Sequence, residues 1–361
     1  MNARRPIRPG PARRAGGFTL IELMVAMLLS LIVVGVVLSI LLGMLQGYRT
    51  NNALGDVQTS SRLAFELLAR DIRSAGLTGC DGDGRVTNIL KGSPDDTNNT
   101  PLWNADWNNA LRGYTQGGAT PDPALASLPA DAPQQVPGTD SIQLIGADST
   151  AMSVQSHALA AGQFTLNGAT GNLQPGSAVI VCDPDHAALF QATAVSSGDA
   201  PSDGAAAASP TITYDTTANC GASLDYPGAC GDGAGTYVFG ANAQIAPLYA
   251  ADWYIGINPD GGKSLYRLAP FDPSNLGGDP PLPQEMVRGV TNMQLLYLQP
   301  NAPDALFATA AQVTSNSNNW GAVTAVQVTL TMQSAFQRAG TDDKPLQRQY
   351  TTTVTLYNRV H

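Results

Sequence analysis

Charged side chains are scarce in this sequence, and histidine is scarcer still. Of the 361 residues, 13% are Asp, Glu, Lys or Arg, and three are His. The formal net charge is −9, and an acidic chain is a poor ligand for the negatively charged backbone of nucleic acids. We therefore expect no nucleic-acid partner on the grounds of charge.

Motifs of catalysis and cofactor binding are lacking as well. The sequence has no Gly-x-Ser-x-Gly elbow, no phosphate-binding Walker loop and no His-rich metal motif. One glycine-rich run, Gly231, Gly233 and Gly235, lacks the last glycine of the dinucleotide fingerprint and the helix that should follow it. The sequence predicts a protein that is not an enzyme and that needs no cofactor.

A long stretch near the N-terminus lacks charge almost completely. Between Phe18 and Leu45, Glu22 is the only ionisable side chain, and about 20 apolar residues suffice for a helix to cross the hydrocarbon of a bilayer. The residues in front include five arginines and no acid, which predicts that they stay on the cytoplasmic side. We expect one membrane-spanning helix in contact with lipid.

The start of this stretch differs from an ordinary secretory signal. A secretory signal is cut after its apolar core, whereas here the small residues precede the core, and residues 17–22 read Gly-Phe-Thr-Leu-Ile-Glu. This pattern resembles the start of a type IV prepilin. The resemblance implies that a prepilin peptidase cleaves between Gly17 and Phe18, and that Phe18 is then N-methylated. The alternative is a plain signal anchor that keeps its leader.

Glu22 needs a partner, because a carboxylate inside a bilayer costs roughly 2.5–3.5 kcal/mol on insertion scales. After cleavage, the new amino group of Phe18 would lie in the same layer. Glu22 could pair with its own N-terminus or with that of a neighbouring subunit, and the resemblance implies the second. Glu22 is thus predicted to be an assembly residue.

Proline is absent between Pro11 and Pro94, so nothing forces a break in a helix there. Apolar and small residues recur at spacings of three and four as far as Ala75, and Gly76 follows as a C-terminal stop. The pattern predicts one helix of about 85 Å that begins at Phe18. Its second half should be amphipathic and pack on a folded head.

The end of this helix narrows the resemblance to one group. Residues 71–80, Asp-Ile-Arg-Ser-Ala-Gly-Leu-Thr-Gly-Cys, look like the PilW group of minor pilins, and the part from Glu285 onward is the most similar. The implied fold is α+β and pilin-like, with the long helix packed on an antiparallel β-sheet head with long loops. The predicted segments are a basic leader (1–17), a membrane-spanning half-helix (18–45), an amphipathic half-helix (46–78) and the head (79–361).

Four cysteines, Cys80, Cys182, Cys220 and Cys230, follow the apolar stretch. An even number in an exported segment suggests disulfides, with three possible pairings. Cys220 and Cys230 are ten residues apart and could close a small loop, which leaves Cys80 for Cys182. Zinc is the alternative, but there is no Cys-x-x-Cys, and only His186 lies near a cysteine.

Residues 81–139 are predicted to be irregular. Asp81 to Gly84 indicate a turn rather than a calcium loop, since the glycine and glutamate of an EF-hand are missing. Trp103 and Trp107 are expected to pin this segment to the head, with an exposed contact as the alternative. The predicted strands beyond it are 141–145, 177–182, 189–195, a hairpin of 249–257 with 264–267, and the alternating patterns around 290–297, 326–332 and 354–356.

The resemblance implies a minor pilin that helps to start type IV pilus assembly. It would sit in the inner membrane with a periplasmic head and later reach the pilus and the cell surface. The implied partners are prepilin peptidase, other minor and major pilins, the inner-membrane assembly platform and membrane lipid. The runner-up is a J-type minor pseudopilin of type II secretion. From other classes, the alternatives are a tethered hydrolase and an adhesin or DNA-capturing head, for which Trp103, Trp107 and Arg112 supply the nearest aromatic and basic side chains.

Overall fold

The computed structural model describes most of the chain as one long helix and a β-rich head. The described residues are 17, 19–80, 84–118, 120–148, 152–198, 208–228, 230–233, 235–270, 282–300, 307–316, 319–337, 340 and 344–359. The leader before Gly17, the residue Phe18 and residues 81–83 of the predicted turn from Asp81 to Gly84 lie outside these ranges, so the expectations for them stay predictions.

The long helix, α1, spans Leu20–Ser74 without interruption, 55 residues. Thr19 caps its N-terminus and forms a capping box with Glu22. At the other end Ala75 leaves the helical conformation, and Gly76 takes a positive φ of 76° that favours glycine. Within the described residues, the predicted unbroken helix and its glycine stop are confirmed.

The two halves of α1 have opposite environments. The large apolar side chains between Leu20 and Leu45 are 44–77% exposed, and by length and composition this stretch could cross a membrane. The second half packs on the head, as its amphipathic pattern predicts. Its buried residues are Ala53, Val57, Ser61, Ala64, Leu68, Ala69 and Ile72.

The larger sheet has 12 described strands and is organised around its longest one, β10. Its members are β1 (Val86–Asn88), β2 (Leu111–Thr115), β3 (Asp140–Ala147), β4 (Met152–Ala158), β5 (Gln163–Leu166), β6 (Ala178–Cys182), β7 (Ala187–Gln191), β8 (Ala194–Ser196), β9 (Thr211–Thr213), β10 (Gln244–Ile257), β11 (Lys263–Leu268) and β12 (Gln284–Arg288).

The 14 residues of β10 join two parts of this sheet. Its first residues pair with β6 and β4, in the order β1-β7-β6-β10-β4-β5-β9-β8. Its later residues pair with β3 and β11, which carry β2 and β12 on their outer sides. The β1–β7 pair is parallel and the other described pairs are antiparallel.

A smaller antiparallel sheet follows and packs on the second half of α1. It consists of β13 (Val290–Leu298), β14 (Phe307–Ala308), β15 (Ala325–Gln333) and β16 (Gln347–Thr355), in the order β14-β13-β15-β16. Two short helices complete the head: α2 (Pro123–Ala126) and α3 (Ala310–Asn316). Alternate residues of β15 are buried, as its apolar-polar alternation predicts.

The main hydrophobic core lies where α1 meets both sheets. Leu68 and Ile72 of α1, Trp253 of β10, and Met293 and Leu330 of the smaller sheet all belong to it, and each is at most 1% exposed. Two further cores lie within the larger sheet, and a small third cluster joins Leu125 to Tyr254 and Tyr266 of that sheet. The helix is therefore part of the head's core and not a tether attached to its surface.

Two sequence predictions about the head need correction. The segment 81–139 is not irregular throughout, because β1 pairs with β7 and β2 pairs with β3. Residues 189–195 are not one strand but parts of β7 and β8. The strand is divided because Ala192 N donates to Ser177 O, whereas Thr193 N donates to Thr213 O, so the chain changes partner there.

Candidate functional site

The N-terminal turn of α1 carries the residues that the prepilin pattern singles out. Thr19 Oγ1 accepts from the Glu22 backbone N–H at 3.3 Å, and the Glu22 carboxylate accepts from the Thr19 N–H at 3.4 Å. This arrangement satisfies two N–H groups that a helix start leaves unpaired. Both side chains are exposed. The Glu22 carboxylate therefore reaches the residue that directly follows Phe18 while it stays open to a partner.

Both disulfides are present, in the pairing that the cysteine spacing favours. Cys80, six residues beyond the end of α1, is joined to Cys182 at the end of β6, with 5.9 Å between the Cα atoms. Cys220 is joined to Cys230 with a Cα–Cα distance of 4.9 Å. The first disulfide fastens the chain after α1 to the larger sheet, and the second closes a short loop.

One group of potential metal ligands surrounds the second disulfide. The carboxylate of Asp96 and the sulfurs of Cys220 and Cys230 lie within 4.8 Å of one another. Metal binding by cysteine requires the thiolate, and both sulfurs are committed to the disulfide. Asp96 is also engaged, because it accepts the Gly92 N–H at 2.9 Å and the Asn99 amide at 2.7 Å. The arrangement therefore favours a disulfide over zinc.

A polar contact inside the core joins α1 to the larger sheet. The indole N–H of Trp253 donates to Asp71 Oδ2 at 2.8 Å, and Arg267 Nε lies 3.4 Å from the same oxygen. The Arg267 guanidinium also lies 5.1 Å from the centre of the Tyr249 ring. Burial raises the pKa of Tyr249 well above its usual value. Through Asp71, α1 is thus connected to both β10 and β11.

The chain that leaves α1 is bound on both sides. Gly76 N donates to Ile145 O at 2.7 Å, and Ala147 N donates to Leu77 O at 2.9 Å. On the other side, the Asn358 amide donates to Gly76 O at 2.8 Å. These bonds place the helix end between β3 and the last described residues. A cleft of about 480 Å³ lies beside the end of α1. The residues that line it include Leu67, Arg70, Asp71, Tyr249, Arg267 and Met286.

The two tryptophans of the 81–139 segment pin it to the head, as expected. Trp103 and Trp107 each begin a 3₁₀-helix, are half-buried, and pack against the core that contains β6 and β7. Arg112 on β2 lies over the ring of Tyr114, with its guanidinium carbon 5.3 Å from the ring centre. The three side chains considered for an adhesive or DNA-binding head are thus engaged in packing within the head.

Comparison with protein families gives two matches, at opposite ends of the chain. The family described as Type IV Pilus-assembly protein W matches residues 252–359, and the prokaryotic N-terminal methylation motif matches residues 12–38. These matches support a PilW-type pilin. Its two matched regions are the first part of α1 with the residues before it, and the strands from the end of β10 to β16. Searches among curated proteins and among solved structures returned no match.

The N-terminal motif and the cysteines could be found from the sequence, whereas the junction around Asp71 could not. Asp71 and Trp253 are 182 residues apart. Asp71 is the first residue of the motif 71–80, but that motif gives no indication of Trp253 as its partner. The matched C-terminal region contains Trp253 and Arg267, whereas Asp71 lies outside both matched regions.

Proposed function

We propose that this PilW-type pilin is a minor pilin, a structural and non-catalytic subunit that takes part in starting type IV pilus assembly. The observation that carries the proposal is the first half of α1. It projects from the head with its apolar side chains exposed and bears one carboxylate, Glu22, in its first turn. The rest of the helix is built into the core of the head, so a force on the exposed half acts on the whole subunit.

The exposed half of α1 must be covered by other molecules, because an apolar surface of this extent is unfavourable in water. Before assembly the cover would be the lipid of the inner membrane, with the head in the periplasm. In the pilus it would be the apolar helices of other minor and major pilins. Lipid tails and apolar helices are similarly hydrophobic, so this exchange has little hydrophobic driving force. Close packing and polar pairing must then select the assembled state.

Glu22 supplies the polar pairing in this proposal. Its hydrogen bonds to Thr19 are 3.3–3.4 Å long, whereas charge-assisted bonds are typically about 2.7–2.9 Å. Cleavage by prepilin peptidase between Gly17 and Phe18, followed by N-methylation, would provide a cationic amine. The amine of a neighbouring subunit could then neutralise a carboxylate that otherwise costs roughly 2.5–3.5 kcal/mol in the bilayer. The inner-membrane assembly platform is the further partner that this role requires.

The experiment is the substitution Glu22→Leu in a strain that lacks the native copy. Removing the only charge of the span should make membrane insertion easier, while assembly loses its polar contact. We expect a processed, membrane-resident protein and a clear drop in the number of surface pili. Fractionation, the mass of the mature chain and a count of pili by microscopy measure the three outcomes.

Ser30→Leu is the matched control, because it adds a leucine to the same exposed half of α1 and leaves Glu22 in place. It should support normal piliation. Unchanged piliation in Glu22→Leu would contradict the assembly role of this residue, and a soluble variant would contradict the membrane anchor. If deletion of the protein abolishes secretion but leaves pili intact, the J-type pseudopilin reading replaces the pilus reading.

A further inference from the structure

Two aspartates meet in the interior of the head, far from the exposed half of α1. Asp252 of β10 is 0% exposed, and Asp122, which caps α2, is 6% exposed. Both carboxyl groups face the same side-chain amide, because Gln143 Nε2 lies 2.6 Å from Asp122 Oδ1 and 3.5 Å from Asp252 Oδ2. Acidic side chains are almost never fully buried unless they are paired, so this contact requires an explanation.

The polar groups around the pair satisfy Asp122 better than Asp252. Asp122 accepts from Ser141 Oγ at 2.5 Å, from Gln143 Nε2 at 2.6 Å and from Ala124 N at 3.0 Å. Asp252 Oδ2 lies 3.5 Å from the same Gln143 amide. Among the described residues, no group donates a hydrogen bond to the buried Oδ1 of Asp252. A fully buried carboxylate oxygen is thus left without a donor, although a second carboxyl group lies beside it.

No described Lys, Arg or His forms an ion pair with either aspartate. The guanidinium of Arg112 is directed to the ring of Tyr114, and Tyr114 donates to Gln143 Oε1 at 3.1 Å. A metal ion fits poorly, because the Gln143 amide N–H already faces both carboxyl groups. The titratable and charged groups that interact with the pair or with its neighbours are Asp106, Arg112, Tyr114, Asp140, Tyr254, Tyr266 and Tyr297.

We propose that Asp122 and Asp252 form a proton-binding site, in which one proton is held between the two carboxyl groups at neutral pH. The bound proton gives the pair the donor that the surrounding residues do not supply. It also leaves one negative charge in the interior instead of two, and two adjacent buried charges would repel each other strongly. Burial raises the pKa of both carboxyl groups above its usual value, in agreement with this site.

The site fastens one segment of the head to the central strand. Asp122 begins the segment 122–139, which runs along β10. Val136 N donates to Ile255 O at 2.8 Å, and Tyr254 OH donates to Pro133 O at 2.6 Å. Loss of the proton places a second charge between this segment and β10. The attachment of segment 122–139 should therefore weaken as the pH rises.

The sign of the pH dependence follows from the direction of the pKa shift. A carboxyl group with a raised pKa binds a proton in the folded protein over a pH range in which the unfolded chain has lost it. The contribution of this site to stability is greatest below the ordinary pKa of Asp, near about 4. It falls as the pH rises toward the raised pKa. In this window the folded protein holds one proton more than the unfolded chain, so the unfolding constant rises by up to tenfold for each unit of increase in pH. Above the raised pKa the contribution becomes constant.

The test compares the full-length protein in detergent with Asp252→Asn, with the disulfides intact. Infrared spectra at neutral pH should show the carbonyl stretch of a protonated carboxylic acid in the wild type and not in the variant. In urea titrations at several pH values, the wild-type unfolding constant should increase relative to that of the variant by up to tenfold per pH unit. Asp131→Asn removes an exposed carboxylate from the same segment and should behave as the wild type does.

Asp122→Asn is a second variant, because Asn also caps helices well, and it should lose the same infrared band. The wild-type spectrum can be recorded whether or not either variant folds. A wild-type protein without the protonated-carboxyl band would overturn the proposal. Parallel pH profiles of the wild type and Asp252→Asn would overturn it as well.

Discussion

Single side chains determine how firmly α1 is held by the head, and Asp71 shows this most directly. Its side chain is 13% exposed, and one of its oxygens contacts both Trp253 and Arg267. Removal of the carboxylate therefore leaves a buried indole N–H without an acceptor and a half-buried guanidinium without its counter-charge.

We expect Asp71→Ala to lower the free energy of unfolding by about 1.5–3 kcal/mol, the usual range for a hydrogen bond to a charged group. A urea titration followed by tryptophan fluorescence measures the change, because Trp253 is buried beside the substitution. Asp71→Asn should have a smaller effect, since its amide oxygen can still accept from Trp253. Asp56→Ala, at an exposed position of the same helix, is the control. Equal midpoints for Asp71→Ala and Asp56→Ala would show that the contact contributes nothing.

Elements with a strong local pattern could be predicted, and those defined by distant partners could not. The helical period and the absence of proline indicated α1, and the Asn-Pro-Asp-Gly-Gly turn indicated the β10–β11 hairpin, where Asn258 Oδ1 accepts from Gly262 N at 2.8 Å. By contrast β1 and β2 are three and five residues long and exist because β7 and β3 pair with them. The Asp122–Asp252 contact likewise depends on the fold, so no local pattern revealed it.

The two disulfides close loops of very different length. Their removal should therefore lower the free energy of unfolding by different amounts. The Cys80–Cys182 bond spans 102 residues and the Cys220–Cys230 bond spans 10. In the chain-entropy model, a longer closed loop restricts the unfolded chain more. We expect the double variant Cys80→Ser/Cys182→Ser to lose about 2 kcal/mol more than Cys220→Ser/Cys230→Ser. Urea titrations of both double variants measure the difference, and each serves as the control of the other.

The pairing of the cysteines can be tested directly in the wild-type protein. Non-reducing peptide mapping of the wild type should yield Cys80 linked to Cys182 and Cys220 linked to Cys230. Free thiols at all four positions, or another linkage, would contradict the account of the cysteines. If the short-loop variant is the less stable of the two, native contacts around Asp96 outweigh loop entropy.

On the scale of the whole molecule, the chain consists of a folded head and an apolar half-helix that the head does not cover. The core of the head includes the second half of α1, so the two parts cannot move independently at the point where they join. Among the described residues, the head leaves this half exposed, so its partners are expected to be other molecules. The conversion from a membrane-held precursor to an assembly subunit must then depend on the N-terminus, which is the part of the molecule that cleavage would change.

Gly17→Val tests that dependence in the full-length protein. A β-branched side chain directly before the bond to Phe18 should block a peptidase site fitted to glycine, while the basic leader and the apolar stretch still direct insertion. We expect uncleaved precursor to accumulate in the membrane, with no free amine near Glu22 and with piliation reduced as in Glu22→Leu. Gly10→Val, inside the leader and distant from the bond, should be cleaved normally. Intact-mass measurement distinguishes precursor from mature chain, and a mature Gly17→Val protein beginning at Phe18 would show that cleavage does not depend on this glycine.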